Sequence, residues 1–241
     1  MSALNNWAQG IDLSRIIEWL MFAVAALLSI SVHESSHALS ALRLGDDTAK
    51  RMGRISLNPL RHLDPMGFLM MVVAHFGWAK PVPINPYRMT KIKSPKIGMA
   101  LTALAGPLSN LILALLFGLL YYVSVYAGGI KLWMMLKGLS DPSGWLYWLN
   151  MFLERCLILN VGLAVFNLIP ISPLDGSKIL AIVLPEKQYA QLMRYERYGM
   201  LVLIALLYLD VLDGPLGFLM EGLLKGIQAV AVPLAKLLTG N

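Results

Sequence analysis

Cysteine is almost absent from this sequence: Cys156 is the single one among 241 residues. A lone thiol excludes an intrachain disulfide and any structural zinc site built on two or more thiolates. Charge is scarce as well. Only 14% of residues are Asp, Glu, Lys or Arg and 57% are hydrophobic, whereas a soluble domain carries about 25% charged and roughly 45–50% apolar residues. No glycine-rich phosphate loop, internal repeat, low-complexity tract or linker to a second domain interrupts the chain. In so apolar a protein the net charge of +6 reads as basic cytoplasmic loops, not as a nucleic-acid surface. The start, Met1 to Trp7, has no basic leader and no small-residue cleavage site, so the first apolar segment is expected to be retained as a span.

What is present is long apolar runs. A bilayer core about 30 Å thick needs roughly 20 apolar residues in helix. Residues 16–44 can cross, and residues 97–130 and 156–174 contain no charged residue at all. Trp145, Tyr147 and Trp148 before the third run read as an interfacial aromatic belt. Residues 198–209 are uncharged but short. The tail, 214–238, carries Glu221, Lys225 and Lys236 and reads either as a last span or as an amphipathic surface helix. The expectation is an all-α polytopic membrane protein with about four to five transmembrane helices. It forms a single domain over 1–241, with a core at 15–185 and C-terminal helices at 186–241.

Between the first two spans the pattern changes. Residues 54–96 hold six prolines, and the run from Gly77 to Pro86 contains three of them, so it cannot form regular helix. A re-entrant, β-hairpin-like segment near residues 77–88, lining a cavity, is the expected form. Non-helical backbone at membrane depth needs protein or water around it. The alternative is a cytoplasmic loop that never enters the membrane. Loops 43–66, 80–96 and 176–197 together carry fourteen Lys and Arg, against Arg15, Lys131 and Lys137 on the opposite side. The three loops should therefore be cytoplasmic, in a multi-pass protein of the cell membrane.

The first span carries His33-Glu34-Ser35-Ser36-His37, an H-E-x-x-H pattern. Positions i and i+4 share a helix face, so both imidazoles can reach one metal ion. Glu34 stands beside that ion, where it can take a proton from a water whose pKa zinc lowers to about 7 and pass it to the leaving amine. An ionisable residue inside a span costs about 2.5–3.5 kcal/mol on insertion scales, and this span carries three close together. A catalytic zinc site needs a third protein ligand. Asp175, at the end of Asn167-Leu-Ile-Pro-Ile-Ser-Pro-Leu-Asp-Gly176, is the better candidate, and Cys156 a poor one. On spacing alone Asp175 reads equally well as a turn or helix-capping aspartate. His62 and Asp64, in a basic, proline-bounded loop, read as structural or solvated. His75 could face the cavity. Asn110 reads as a helix-packing amide.

These motifs, in this order, resemble the site-2 proteases, which are intramembrane zinc metalloproteases. The resemblance rests on His33–His37, on Gly77-Trp-Ala-Lys-Pro-Val82, and on Asn167–Gly176 with its Asn-x-x-Pro-x-Pro-x-x-Asp-Gly likeness. One departure is Pro170-Ile-Ser-Pro173, which still leaves Asn167 and Asp175 eight residues apart. The resemblance covers roughly residues 20–185 and is to a minimal form without a PDZ or nucleotide-sensing domain. It implies one Zn2+ per chain held by His33, His37 and Asp175, with Glu34 activating water. It implies that Asn167 orients substrate or stabilises the oxyanion, and that Gly77, Trp78, Lys80, Pro81 and Val82 bind an unwound substrate segment. The implied activity is hydrolysis of a peptide bond in or near a transmembrane segment of a membrane-protein substrate, such as a single-span regulator. The competing readings are a membrane metal transporter or sensor and an inactive, protease-like binding protein.

Overall fold

The computed structural model describes residues 13–67, 80–137 and 144–240. Four long helices carry most of this chain: α1 (Leu13–Leu44), α3 (Pro95–Leu136), α4 (Trp145–Asn167) and α7 (Asp213–Thr239). Joining them are the short helices α2 (Thr48–Arg51) and α5 (Asp175–Leu180) and the helix α6 (Glu186–Tyr208), which is as long as α4 but apolar only over Tyr198–Tyr208. Single 3-10 turns lie at Pro59–Arg61, Pro86–Arg88 and Ala181–Val183. There is no strand among the described residues. The four long helices are each apolar enough to cross a bilayer, α3 over Pro95–Gly129. The chain is thus a multi-pass membrane protein.

Helix α3 is the hub, packing against α1, α4 and α7 and touching α5. Its fully buried contacts include small residues, which let backbones approach where no hydrophobic driving force separates protein from lipid, with Phe117, Leu119 and Tyr122 packed around them. Ala114 of α3 meets Leu157, Val161 and Val165 of α4 and Ile227 and Ala231 of α7 in one buried cluster. A Cβ on Gly118 would come within 2.7 Å of Ile227 Cγ2. A second small cluster joins Ala38 of α1, Ala49 of α2 and Val82.

The structure differs from the sequence expectations in two places. The third span runs from Trp145, not from Cys156, and it contains Glu154 and Arg155 within its helix. It ends at Asn167, and residues 168–174 turn irregularly through Pro170 and Pro173, which cannot continue a helix. The tail forms one continuous 27-residue helix. Its charges Glu221 and Lys225 pair at 2.6 Å, one turn apart.

The second difference is the hairpin. Gly77 and Trp78 lie outside the described residues, as does His75. From Lys80 to Asn85 the chain is an extended strap without strand pairing, followed by the 3-10 turn at Pro86. The reason lies in its donors. Pro81 and Pro83 have none. The Val82 N–H goes to the Glu34 carboxylate (3.2 Å) and the Asn85 N–H to Asp46 (2.6 Å). The Lys80 N–H goes to the His62 carbonyl (2.8 Å). Apart from that one backbone bond, side chains fix the described part of the strap. Arg54 completes the fixing: its buried guanidinium donates to the carbonyls of Arg61, Lys80 and Pro81.

Candidate metal centre

His33 and His37 sit one turn apart on α1, with ring centroids 4.6 Å from each other. Both are buried, at 6% exposure each, and so is Asp175, at 7%. The helix start that carries Asp175 is positioned by Gly176. A Cβ there would lie 2.3 Å from the Leu168 carbonyl oxygen and 2.4 Å from that of Ile169. Only glycine lets α5 begin against that turn.

The outer nitrogens of the two imidazoles are already committed. His37 Nδ1–H donates to the Thr102 carbonyl at 2.7 Å. His33 Nδ1–H donates to Asn110 Oδ1 at 2.5 Å. Both acceptors belong to α3. With those protons placed, each Nε2 presents a lone pair, and both point at one oxygen of Asp175. His33 Nε2 lies 3.2 Å and His37 Nε2 3.1 Å from Asp175 Oδ2. Two lone pairs facing a carboxylate at contact distance repel unless a cation lies among them. A tetrahedral zinc site with arms of about 2.0–2.1 Å has ligand-to-ligand edges of about 3.3 Å, close to both distances. The residues present therefore fit a zinc ion on two imidazoles and one carboxylate, and these three form the metal-capable group found among the described residues.

Lys178 Nζ stands 4.0 Å from the other Asp175 oxygen. Gly106 of α3 closes the back: a Cβ there would lie 2.5 Å from His37 Nε2 and 2.6 Å from His33 Cε1.

A cavity of about 120 Å³ adjoins the three ligands. Glu34, Asn167 and Lys178 border it, and the strap closes one side with Pro81, Val82 and Ile84. Asn167 donates one amide hydrogen to the Leu163 carbonyl of its own helix (2.9 Å). Lys80 is exposed on the strap. The structure thus brings His33, Glu34, His37, Asn167, Asp175, Pro81 and Val82 together. His62 and Asp64 are structural here. His62 is buried with Nε2 on the Ser56 carbonyl (2.7 Å), and Asp64 accepts from the Met66 and Gly67 N–H groups. Cys156 is buried in α4, and it is not among the grouped metal-capable residues.

Sequence reasoning missed three contributors. Asn110 bonds a metal-facing histidine instead of merely packing helices. Arg54 and Asp46 hold the strap. Asn110 carried a legible signal, because a polar amide inside an uncharged span needs a partner. Arg54 and Asp46 carried none, since both sit in a loop where charge is ordinary.

The model of peptidase family M50 matches residues 21–209. Among curated proteins, the chain is similar to "Putative zinc metalloprotease YwhC" of Bacillus subtilis. The two are 39% identical over 183 residues, covering 76% of this chain and 78% of that one. It is also similar to "Putative zinc metalloprotease Rip2" of Mycolicibacterium smegmatis, 31% identical over 83% of this chain and 71% of that one. The Rip2 of Mycobacterium tuberculosis strain H37Rv is 30% identical over 81% and 70% respectively. No solved structure matches.

Proposed function

The chain belongs to peptidase family M50 and is a membrane zinc metalloprotease, and from that premise we propose that it cleaves a peptide bond within or beside a transmembrane segment of another membrane protein. The observation that carries this reading is the convergence of His33, His37 and Asp175 beside Glu34, in a cavity walled by an extended strap. Zinc, when bound, polarises water and a carbonyl oxygen. His33, His37 and Asp175 hold it. Glu34 takes the proton as water adds to the scissile carbonyl carbon, then returns it to the departing amine as the C–N bond breaks. Asn167 has a second amide hydrogen and donates it to the developing oxyanion. A transmembrane helix must unwind before its peptide groups are reachable. The strap, with Lys80, Pro81 and Val82, offers extended backbone beside which the unwound segment lies. Gly77 and Trp78 are assigned to substrate binding in this reading as well. The substrate class is a membrane protein, with a single-span regulator as the simplest case.

The centre opens toward the cytoplasm. In support, the loops next to it carry fourteen basic residues against three on the other side. A single cysteine placed at Lys93 in a Cys156→Ser background should react with an impermeant thiol reagent in inside-out vesicles only. Labelling in right-side-out cells would reverse the orientation.

For the activity, wild type and Glu34→Gln are purified in detergent, assayed for zinc and offered a panel of single-span substrates. Both should hold one zinc per chain, and the Glu34→Gln rate should fall by about 10²–10⁴-fold. Zinc in both with equal cleavage, or with no cleavage of any substrate by wild type, would sink the proposal.

A further inference from the structure

The two histidines are oriented by different means. His37 gives its Nδ1 proton to a backbone carbonyl, Thr102 O. A carbonyl can only accept, so this histidine has one possible tautomer. His33 gives its proton to a side-chain amide, Asn110. An amide can be turned over, and its NH2 would then face Nδ1. His33 would be driven into the tautomer with its proton on Nε2, which cannot ligate a metal. Something must hold the Asn110 amide the right way round.

We infer that Asn160, in the middle of α4, is that element: a positioning residue that fixes the Asn110 amide and through it the metal-binding tautomer of His33. The polarity can be followed from fixed acceptors inward. Asn160 Nδ2 donates to the Cys156 carbonyl, one turn back, at 2.8 Å. It also donates to Ser29 Oγ at 2.8 Å. Ser29 Oγ donates its own hydrogen to the Ala25 carbonyl at 2.7 Å, so it must accept from Asn160. The Asn160 oxygen therefore faces Asn110. Asn110 Nδ2 donates to it at 2.7 Å, and Asn110 Oδ1 is left for His33 Nδ1–H. The carbonyls of Cys156 and Ala25 thus set the direction of the bonds through Asn160, and the Ser29 carbonyl, which takes a longer bond from Asn110 Nδ2 at 3.4 Å, agrees with that polarity. Asn110, Asn160 and Ser29 are all 0% exposed, so no water competes and each flip would leave a buried group unpaired. The relay joins α1, α3 and α4 at the depth of the metal centre. Removing hydrogen-bond partners of metal-bound histidines costs 10–100-fold in affinity as a rule.

This inference rests on the reading of His33 as a metal ligand, and the experiment separates the two. Zinc affinity of the full chain in detergent is measured by chelator competition, and the Co2+-loaded protein is examined for its visible d–d bands. The variants are Asn160→Leu, Asn160→Asp and Asn150→Leu. Asn150 is an equally buried amide of the same helix, bonded to Ser124. Its replacement reports the general effect of losing a buried amide. Asn160→Leu should bind zinc about 10–100-fold more weakly and show altered Co2+ bands. Asn160→Asp, ionised or protonated, keeps an acceptor toward Asn110 and should recover most of the affinity and the native bands. Asn150→Leu should retain the native bands. Equal affinities for Asn160→Leu and Asn150→Leu would overturn the relay, and so would an Asn160→Asp variant as weak as Asn160→Leu. A wild-type chain that binds no zinc would instead overturn the metal-centre reading itself, and the relay with it.

Discussion

At the scale of the residue, the centre depends on what is missing as much as on its ligands. Gly106 leaves room for α3 to bring the Thr102 carbonyl and the Asn110 amide to the two imidazoles. A methyl group there would sit 2.5 Å from His37 Nε2, inside any real contact, and must displace a ring. Gly106→Ala should therefore lower zinc affinity by at least about 10-fold while Gly214→Ala, with open space around its Cβ, leaves it near native. Chelator competition checks both. Asp175 makes a sharper case. In the sequence it could have been a capping or turn residue, and it does open α5. Its carboxylate nonetheless meets both imidazoles at 3.1–3.2 Å, which a purely capping role does not require. Asp175→Ala should lose zinc by more than about 100-fold, beyond the cost of losing an outer partner. Full zinc retention by the purified variant would remove it as a ligand.

At the scale of the element, the strap is the part with the least regular structure and the most side-chain support. Arg54 alone holds the Arg61, Lys80 and Pro81 carbonyls. Hydrogen bonds to a charged donor are worth about 1.5–3 kcal/mol each, and a lysine's three N–H groups leave one nitrogen, so they cannot span acceptors that the guanidinium reaches from two. Arg54→Lys should thus speed amide exchange at Val82 and Ile84 far more than in α4, measured by hydrogen–deuterium exchange. Asp46 anchors the other end. It is fully buried. Burial pushes its carboxyl up, but bonds from the Thr48 hydroxyl, the Asn85 N–H and the Thr48 N–H, with the charge of Arg88, bring it below the ordinary value. A lowered folded-state pKa stabilises the fold above the unfolded carboxylate value of about 3.9. That contribution is lost as pH falls through the lower folded value. Asp46→Asn should accordingly be less stable than wild type at pH 7, with the gap closing below about pH 4. Denaturation of the two proteins at both pH values reads this directly, and a gap independent of pH would contradict it.

At the scale of the whole molecule, the spans were legible where hydrophobicity was unbroken and misplaced where charge entered a helix. Residues 97–130 were read as a span and form one over Pro95–Gly129. The start of α4 was open because Glu154 and Arg155 fall inside or at the edge of the apolar run; a helix half-burying both passes straight through. The tail was ambiguous because Glu221, Lys225 and Lys236 suit the polar face of a surface helix as well as a span whose Glu221 and Lys225 pair one turn apart. The strap was read as hairpin because prolines and Gly77 exclude helix. They do not say whether a backbone donor will meet a strand or a carboxylate. The metal centre was more legible than the fold around it. Two histidines at i and i+4 are local, and Asp175 follows from the meeting of the ends of α1 and α4. What no spacing could supply is the α3 face, where Thr102, Gly106 and Asn110 set the imidazoles. Those contacts exist only after three helices have packed.

The central claim is that residues 142 positions apart in sequence, His33 and Asp175, share one zinc ion with His37. Zinc K-edge X-ray absorption on the purified wild-type chain tests it most directly. The expected result is one zinc per chain with nitrogen and oxygen neighbours alone at about 2.0–2.2 Å, two of them imidazoles. A sulfur neighbour at about 2.3 Å, a single imidazole, or a chain that holds no zinc would contradict it.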